Sequence, residues 1–197
     1  MLTLYIAPGA SSMAPHIALL HIGAPFELRS LSFAKREQAE PAYLAINPEG
    51  KVPTLVTDEG TLTEVAAILF YLARRFPEAA LLPDDPMGTA QALSWMSFAA
   101  STLHPSFIAG QGRAEAALEQ AEHRLAGQEW AVGGRLSVAD IHLFRLFWRM
   151  RHTLALPVEN WPGLTAHYDR MMALPAVRKT CEIEQSIGYE LRGLRVP

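Results

Sequence analysis

The spacing of apolar and polar positions divides the chain into two parts with different periods. Leu2-Thr3-Leu4-Tyr5-Ile6 is a short run of apolar, aromatic and β-branched residues, which predicts a strand. Pro8-Gly9-Ala10-Ser11-Ser12 is a turn that runs into a helix. Pro15 falls in that helix's first turn, where its missing N–H costs nothing, and Ile17, Leu20 and His21 follow at helical spacing. Phe26 to Leu31 is a second strand. Ala42 to Ile46 is a short helix or turn, closed by Asn47-Pro48-Glu49-Gly50. Pro53 to Thr57 is a strand opened by proline, Asp58-Glu59-Gly60 turns it, and Thr61-Leu62 returns. Val65 to Arg75 is an apolar helix. The front part therefore reads βαβ, short helix, ββα.

The composition shifts at residues 77–86, Pro-Glu-Ala-Ala-Leu-Leu-Pro-Asp-Asp-Pro, where prolines end one helical unit and space it from the next. This segment reads as a linker between residues 1–76 and 87–197. Beyond it the pattern is helical throughout, with helices near 87–109, 113–126, 137–151, 161–172 and 175–184. Pro105 should kink the first of these and leave carbonyls unpaired. Ser137-Val138-Ala139-Asp140 puts a hydroxyl at an N-cap and a carboxylate three residues on, the spacing of a capping box, with Leu136 and Ile141 placed as a hydrophobic staple. Ile141, Leu143, Phe144, Leu146, Phe147, Trp148 and Met150 then cover most of that helix's circumference, so it should be buried and form the spine of the back part.

A chain of 197 residues that is 50% hydrophobic and 19% charged can bury a substantial core. Its formal net charge of −3 provides no global field for nucleic acid. Arg74-Arg75 and Arg145-Arg149-Arg151 sit at helical spacing and read as solvated helix faces or ends. The single cysteine, Cys181, excludes an intrachain disulfide and fits a reducing cytosol. The N-terminus has no basic region ahead of its apolar run, and the longest apolar run, Val65 to Ala73, is too short to span a bilayer. The expectation is a cytoplasmic protein with no membrane association. The histidines show no H-E-x-x-H or Cys/His spacing, so no metal site is expected, and neither a G-x-S-x-G elbow nor a P-loop is present.

Four places could carry chemistry. Ser11 and Ser12 stand between a strand and a helix N-terminus, where free N–H groups and the dipole would lower the pKa of a nearby thiol. Val52-Pro53 opens a strand, and a cis bond there would turn the Val52 N–H and C=O outward toward a peptide-like ligand. Thr63-Glu64-Val65 begins a helix whose N–H groups suit a ligand carboxylate, while Glu64 could accept an ammonium. His104, next to Pro105, could donate to a bound sulfur or electrophile. Each also has a plainer reading: a capping serine, an edge-strand proline, a dipole-favourable acid and a histidine satisfied within a core.

Five segments in this order resemble the glutathione transferases, most closely the bacterial beta class: Tyr5 to Ile17, Tyr43 to Leu55, Leu62 to Ile68, Leu103-His104-Pro105 and Leu136 to Asp140. The resemblance covers nearly the whole chain. It implies an α/β thioredoxin-like N-terminal domain followed by an all-α C-terminal domain. It also implies glutathione as co-substrate, a homodimer, and conjugation of the glutathione thiolate to a small hydrophobic electrophile, with a role in detoxification. Val52 would bind the cysteinyl backbone of glutathione ahead of a cis-Pro53, Glu64 and the Val65 N–H would hold the γ-glutamyl end, and Lys35 or Arg36 would reach a ligand carboxylate. His104 would stand beside the thiol. Phe107, Ile108 and Trp95 would border the second substrate. The beta class usually has cysteine where this chain has Ser11, so a mixed disulfide cannot form there. A serine hydroxyl donating to the thiolate, from Ser11 or its neighbour Ser12, is the implied alternative. Tyr5 falls in the strand and reads as core. A glutathione-dependent isomerase, dehalogenase or peroxidase on the same scaffold, or a non-catalytic interaction protein, are the other readings.

Overall fold

The computed structural model describes residues 1–191 and 193. The front part is built on β1 (Leu2–Ile6), which lies inside a four-stranded sheet of order β2-β1-β3-β4. β2 (Phe26–Ser30) runs parallel to it, β3 (Thr54–Val56) antiparallel, and β4 (Thr61–Thr63) antiparallel to β3. Leu4 pairs with Leu28 on one side and Leu55 on the other. A central strand is covered on both faces. Leu4 and Ile6 are buried under α1 (Met13–Ile22) and α3 (Val65–Arg75), while Tyr5 on the opposite face packs its ring against Tyr43 of α2 (Pro41–Leu44), centroids 5.3 Å apart. α1 stops where Gly23 takes a left-handed φ of 75° and its N–H closes on the Leu19 carbonyl at 3.0 Å.

The back part is helical: α4 (Pro86–Phe98), α5 (His104–Ile108), α6 (Gln111–Leu125), α7 (Val138–Arg151), α8 (Pro162–Met172) and α9 (Pro175–Ile187). The helix expected over 87–109 is broken differently from the expectation. A π turn, Ala99–Leu103, joins α4 to α5, and the His104 N–H reaches back five residues to the Ala99 carbonyl. The wide turn falls just before Pro105, which has no N–H to continue an ordinary ladder.

α7 is buried from Val138 to Met150 and packs against α1, α3, α4 and α8. Its burial overturns the expectation of a solvated arginine face. Arg145 and Arg149 are only 4% and 7% exposed, because neighbouring elements surround the helix, whereas Arg74 and Arg75 at the end of α3 are exposed. The start of α7 is fixed by Asp140, which is fully buried. One carboxylate oxygen accepts the Ser137 N–H at 2.8 Å and the Ser137 hydroxyl at 2.7 Å. The other accepts the Ala131 N–H at 2.7 Å and faces His167 Nε2 at 3.1 Å. The Val138 N–H donates to the Leu81 carbonyl at 2.9 Å, tying the segment between the two parts to the same point. Among the described residues, no helix is long and apolar enough to cross a membrane.

Asp140→Ala strands several buried donors at once. We expect a loss on the order of 3–5 kcal/mol in urea unfolding, against about 0.5–2 kcal/mol for Ser137→Ala. Equal losses in the two variants would reduce Asp140 to a helix cap.

Candidate active site

The loop between β1 and α1 is held from three sides. Ser12 is fully buried, and its hydroxyl accepts the Ala7 N–H at 3.1 Å and donates to the Ala7 carbonyl at 3.2 Å. The Gly9 N–H donates to Glu184 Oε2 of α9 at 2.6 Å, and Glu184 Oε1 pairs with His16 Nδ1 of α1 at 2.9 Å. Arg145 Nε of α7 donates to the Ala10 carbonyl at 3.1 Å. Gly9 has a φ of 74°, and a Cβ there would meet the Tyr189 ring at 3.0 Å, so a side chain would be both strained and crowded. With its neighbours pinned, Ser11 is left part-exposed and borders a cavity. The two serines are thus separated: the Ser12 hydroxyl closes the loop, and Ser11 borders the open space.

A second wall comes from the approach to β3. The Tyr43 hydroxyl and the Asn47 side-chain amide both donate to the Lys51 carbonyl, and both also reach Thr54 Oγ1, at 2.7 and 2.9 Å. This network fixes the turn before Val52. The Val52–Pro53 bond is cis, and both residues line the cavity. No described residue hydrogen-bonds the Val52 N–H or C=O.

The third wall is the junction of β4 and α3. Glu64 has φ 66° and ψ 125°, outside the regions a non-glycine residue ordinarily occupies, at a cost of about 1–3 kcal/mol. This conformation turns the chain so that Glu64 and the start of α3 both border the cavity. No side chain caps α3, and the first ladder bond is from the Ile68 N–H to the Glu64 carbonyl at 3.0 Å. The first N–H groups of the helix are therefore available to an anion.

His104, carried by the π turn, closes the space from the back part. Ser11, Val52, Pro53, Glu64, Val65 and His104 together line a cavity of about 360 Å³. A second cavity of about 400 Å³ shares Ser11, Val52 and His104 with it and adds Phe33, Phe107, Arg145 and Arg149. Ligand sites typically occupy about 300–1,000 Å³.

Two expectations are not met. Lys35 and Arg36 are exposed and line neither cavity: the Lys35 N–H is tied to Ser32 Oγ, and of the 3-10 turn that Arg36 opens only Gln38 borders the second cavity. Lys51, next to Val52, borders both spaces instead. Trp95 is core. Its Nε1 donates to the Ala131 carbonyl at 3.1 Å, and α4 turns it away from the cleft that Phe107 and Ile108 border. The residues missed from sequence are Lys51, Asn47, His142, Arg145 and Arg149. The last three fall at i, i+3 and i+7 of α7, a spacing visible in the sequence once that helix's contacts are known.

Burial dominates the electrostatics. It holds the His104 imidazole below its ordinary range, with Arg145 adding to the effect. His142 is pushed down to about 3 by burial and then by Arg145 and His104. Arg145 is lowered to about 9 by burial and the nearby Arg149, partly opposed by Glu184. Both histidines are therefore neutral near pH 7 and can donate without carrying charge. The Cys181 thiol is raised to about 11 by burial, Glu184 and Glu182, so it is no thiolate nucleophile at neutral pH.

A thioredoxin-like α/β unit whose cleft is completed by a helical unit defines the class of protein. Residues 1–74 match the model of the glutathione S-transferase N-terminal domain, and residues 94–175 that of the C-terminal domain. The chain belongs to the glutathione S-transferase family. It is 31% identical to glutathione S-transferase GstA of Escherichia coli O157:H7, over 92% of this chain and 98% of that one. The structure of a bacterial beta-class glutathione S-transferase from Sphingomonas chungbukensis is similar, with a TM-score of 0.83, 35% identity, and 92% and 98% of the two chains covered. A sphingomonad glutathione S-transferase complexed with glutathione matches with a TM-score of 0.85 at 33% identity, over 93% and 98%.

The low value for His142 has a consequence for stability. Between about pH 6.5 and 3 the unfolded chain takes up a proton on this residue that the folded chain refuses, so stability falls as pH is lowered through that window. Urea midpoints measured from pH 7 to pH 4 should show this, and His142→Phe should remove up to about 1.4 kcal/mol per pH unit from the slope. The serines should differ as well. Ser12→Ala should cost about 1–3 kcal/mol and Ser11→Ala no more than about 0.5 kcal/mol in the same assay.

Proposed function

We propose that the protein is a glutathione S-transferase in which residues 1–76 hold glutathione, residues 77–86 link, and residues 87–197 wall the second substrate. The observation that carries this reading is the convergence of Ser11, Val52, cis-Pro53, Glu64, Val65 and His104 on one cavity, although they come from four separate stretches of chain. The unpartnered Val52 backbone pairs with the cysteinyl residue of the tripeptide, as an added strand would. Glu64 takes the γ-glutamyl ammonium, and the uncapped N-terminus of α3 takes its carboxylate.

That placement leaves the thiol beside Ser11. The hydroxyl donates to the thiolate and favours its formation, and neutral His104 is a second donor on the far side. Catalysis is then activation of the thiol and positioning of the electrophile against it. Lys51 replaces Lys35 and Arg36 as the cation nearest the peptide. Membership of the family supports a homodimer and the binding of a small electrophile. It also fits a detoxifying role in the cytoplasm.

Calorimetric titration of reduced glutathione at pH 7 should give a Kd tighter than about 1 mM. In the Ser11→Ala variant the thiol of bound glutathione, followed by thiolate absorbance, should titrate about 1–2 pH units higher, the worth of one hydrogen bond to a charged group. An unchanged value removes Ser11 from the mechanism, and undetectable binding removes the transferase reading.

A further inference from the structure

The two cavities differ in charge. The first is bordered by Glu49 and Glu64 together with Lys51. The second, which Phe107 and Phe33 make partly aromatic, is bordered by Lys51, Arg145 and Arg149 and by no carboxylate among its described lining residues. Arg145 is the deepest of these cations. It is 4% exposed; among the described residues it makes one hydrogen bond, from Nε to the neutral Ala10 carbonyl, and no carboxylate lies within ion-pair distance. Its remaining N–H donors belong to a side chain that lines the cavity. Arg149, one helical turn on, lies 5.6 Å from the centre of the Phe107 ring, which places a second guanidinium beside the aromatic wall.

Burying a guanidinium without an ion-pair partner is costly; burial and the neighbouring Arg149 lower Arg145 to about 9, and Glu184, beyond ion-pair distance, opposes this only in part. An anion entering the cavity relieves it and can be gripped by two parallel N–H bonds. A purely apolar ligand leaves the cost in place.

We infer that the second substrate is an electrophile carrying a carboxylate or similar anion, seated on Arg145 with its unsaturated or aromatic body against Phe107. The inference rests on the transferase reading and narrows its substrate class from hydrophobic to amphipathic and anionic. The anion lies on the α7 side of the cleft and the reactive carbon faces Ser11, where the thiolate is held. In an addition to an activated alkene, the sulfur–carbon bond forms as the carbon–carbon π bond breaks, and the thiol's proton ends on the adjacent carbon. No oxidant or reductant is needed.

Ethacrynic acid and its methyl ester test this, because they share one reactive vinyl ketone and differ only in a distant charge. The wild-type protein should favour the acid at least tenfold in kcat/KM, mainly through KM. Arg145→Met should bring the ratio of acid to ester down toward one, and Arg145→Lys should restore part of it. Because the ratio is internal to each variant, partial misfolding does not alter it. A wild-type ratio of one or less overturns the inference. So does an Arg145→Met variant whose ratio is unchanged but whose KM for glutathione rises, since the cation would then hold the glycyl carboxylate of the tripeptide. Glutathione binding together with turnover of the neutral 1-chloro-2,4-dinitrobenzene, without preference for the acid, would sink the charge assignment and leave the transferase reading intact. Absence of glutathione binding would sink both.

Discussion

The position of Ser11 depends on two buried charges that belong to the other half of the molecule. Glu184 of α9 grips the Gly9 N–H and His16, and Arg145 of α7 grips the Ala10 carbonyl. A six-residue loop of mostly small side chains would otherwise sample many conformations, and the entropy of fixing it must be offset by contacts of this kind. The clamp also couples the two halves. Separating them would expose a carboxylate and a guanidinium to water but would release the loop that carries the candidate thiol-activating hydroxyl. The front part therefore does not make a complete site by itself.

The rest of the cleft follows the same logic of ends. Each wall is a terminus of an element: the start of α1, the residue before β3, the start of α3 and the exit from a π turn. Termini leave backbone donors and acceptors unpaired, and here the Val52 backbone and the first turn of α3 remain so. What distinguishes these termini from ordinary loop ends is that others nearby are closed internally. Ser12 satisfies Ala7, Asn47 and Tyr43 satisfy Lys51, and Asp140 satisfies Ser137 and Ala131. Polar groups left open around the cleft stand out against that background.

Much of this was legible in sequence, and the failures have specific causes. The strands and the capping box at Ser137 and Asp140 depend on local spacing, and local spacing is what a sequence displays. The run of helix through Trp95 and His104 is legible, but the π turn within it is not, and spacing alone does not say that Trp95 faces Ala131 in the core while His104 faces the cleft. Arg145 and Arg149 read as a solvated face because charge at helical spacing usually is one. Their burial depends on α1, α3, α4 and α8 all packing around α7, which no local pattern reports. Ser11 and Ser12 could not be told apart because the difference lies in Ala7, five residues away across a turn whose shape is set by Glu184. Lys35 and Arg36 are the cations in the stretch that the resemblance points to, but Lys51 reaches the space because it adjoins the strand that forms its wall.

The π turn frees the reach of His104 from the exact length of the chain before it. Successive residues on a helix are rotated by about 100°. Taking any one residue out of Ala99–Leu103 would let an ordinary ladder close there. The wide turn spends its extra residue on nearly the same total rotation, so His104 and the rest of α5 would keep their face toward the cleft. Related chains could thus gain or lose one codon at this turn and still present the same side chain to the wall.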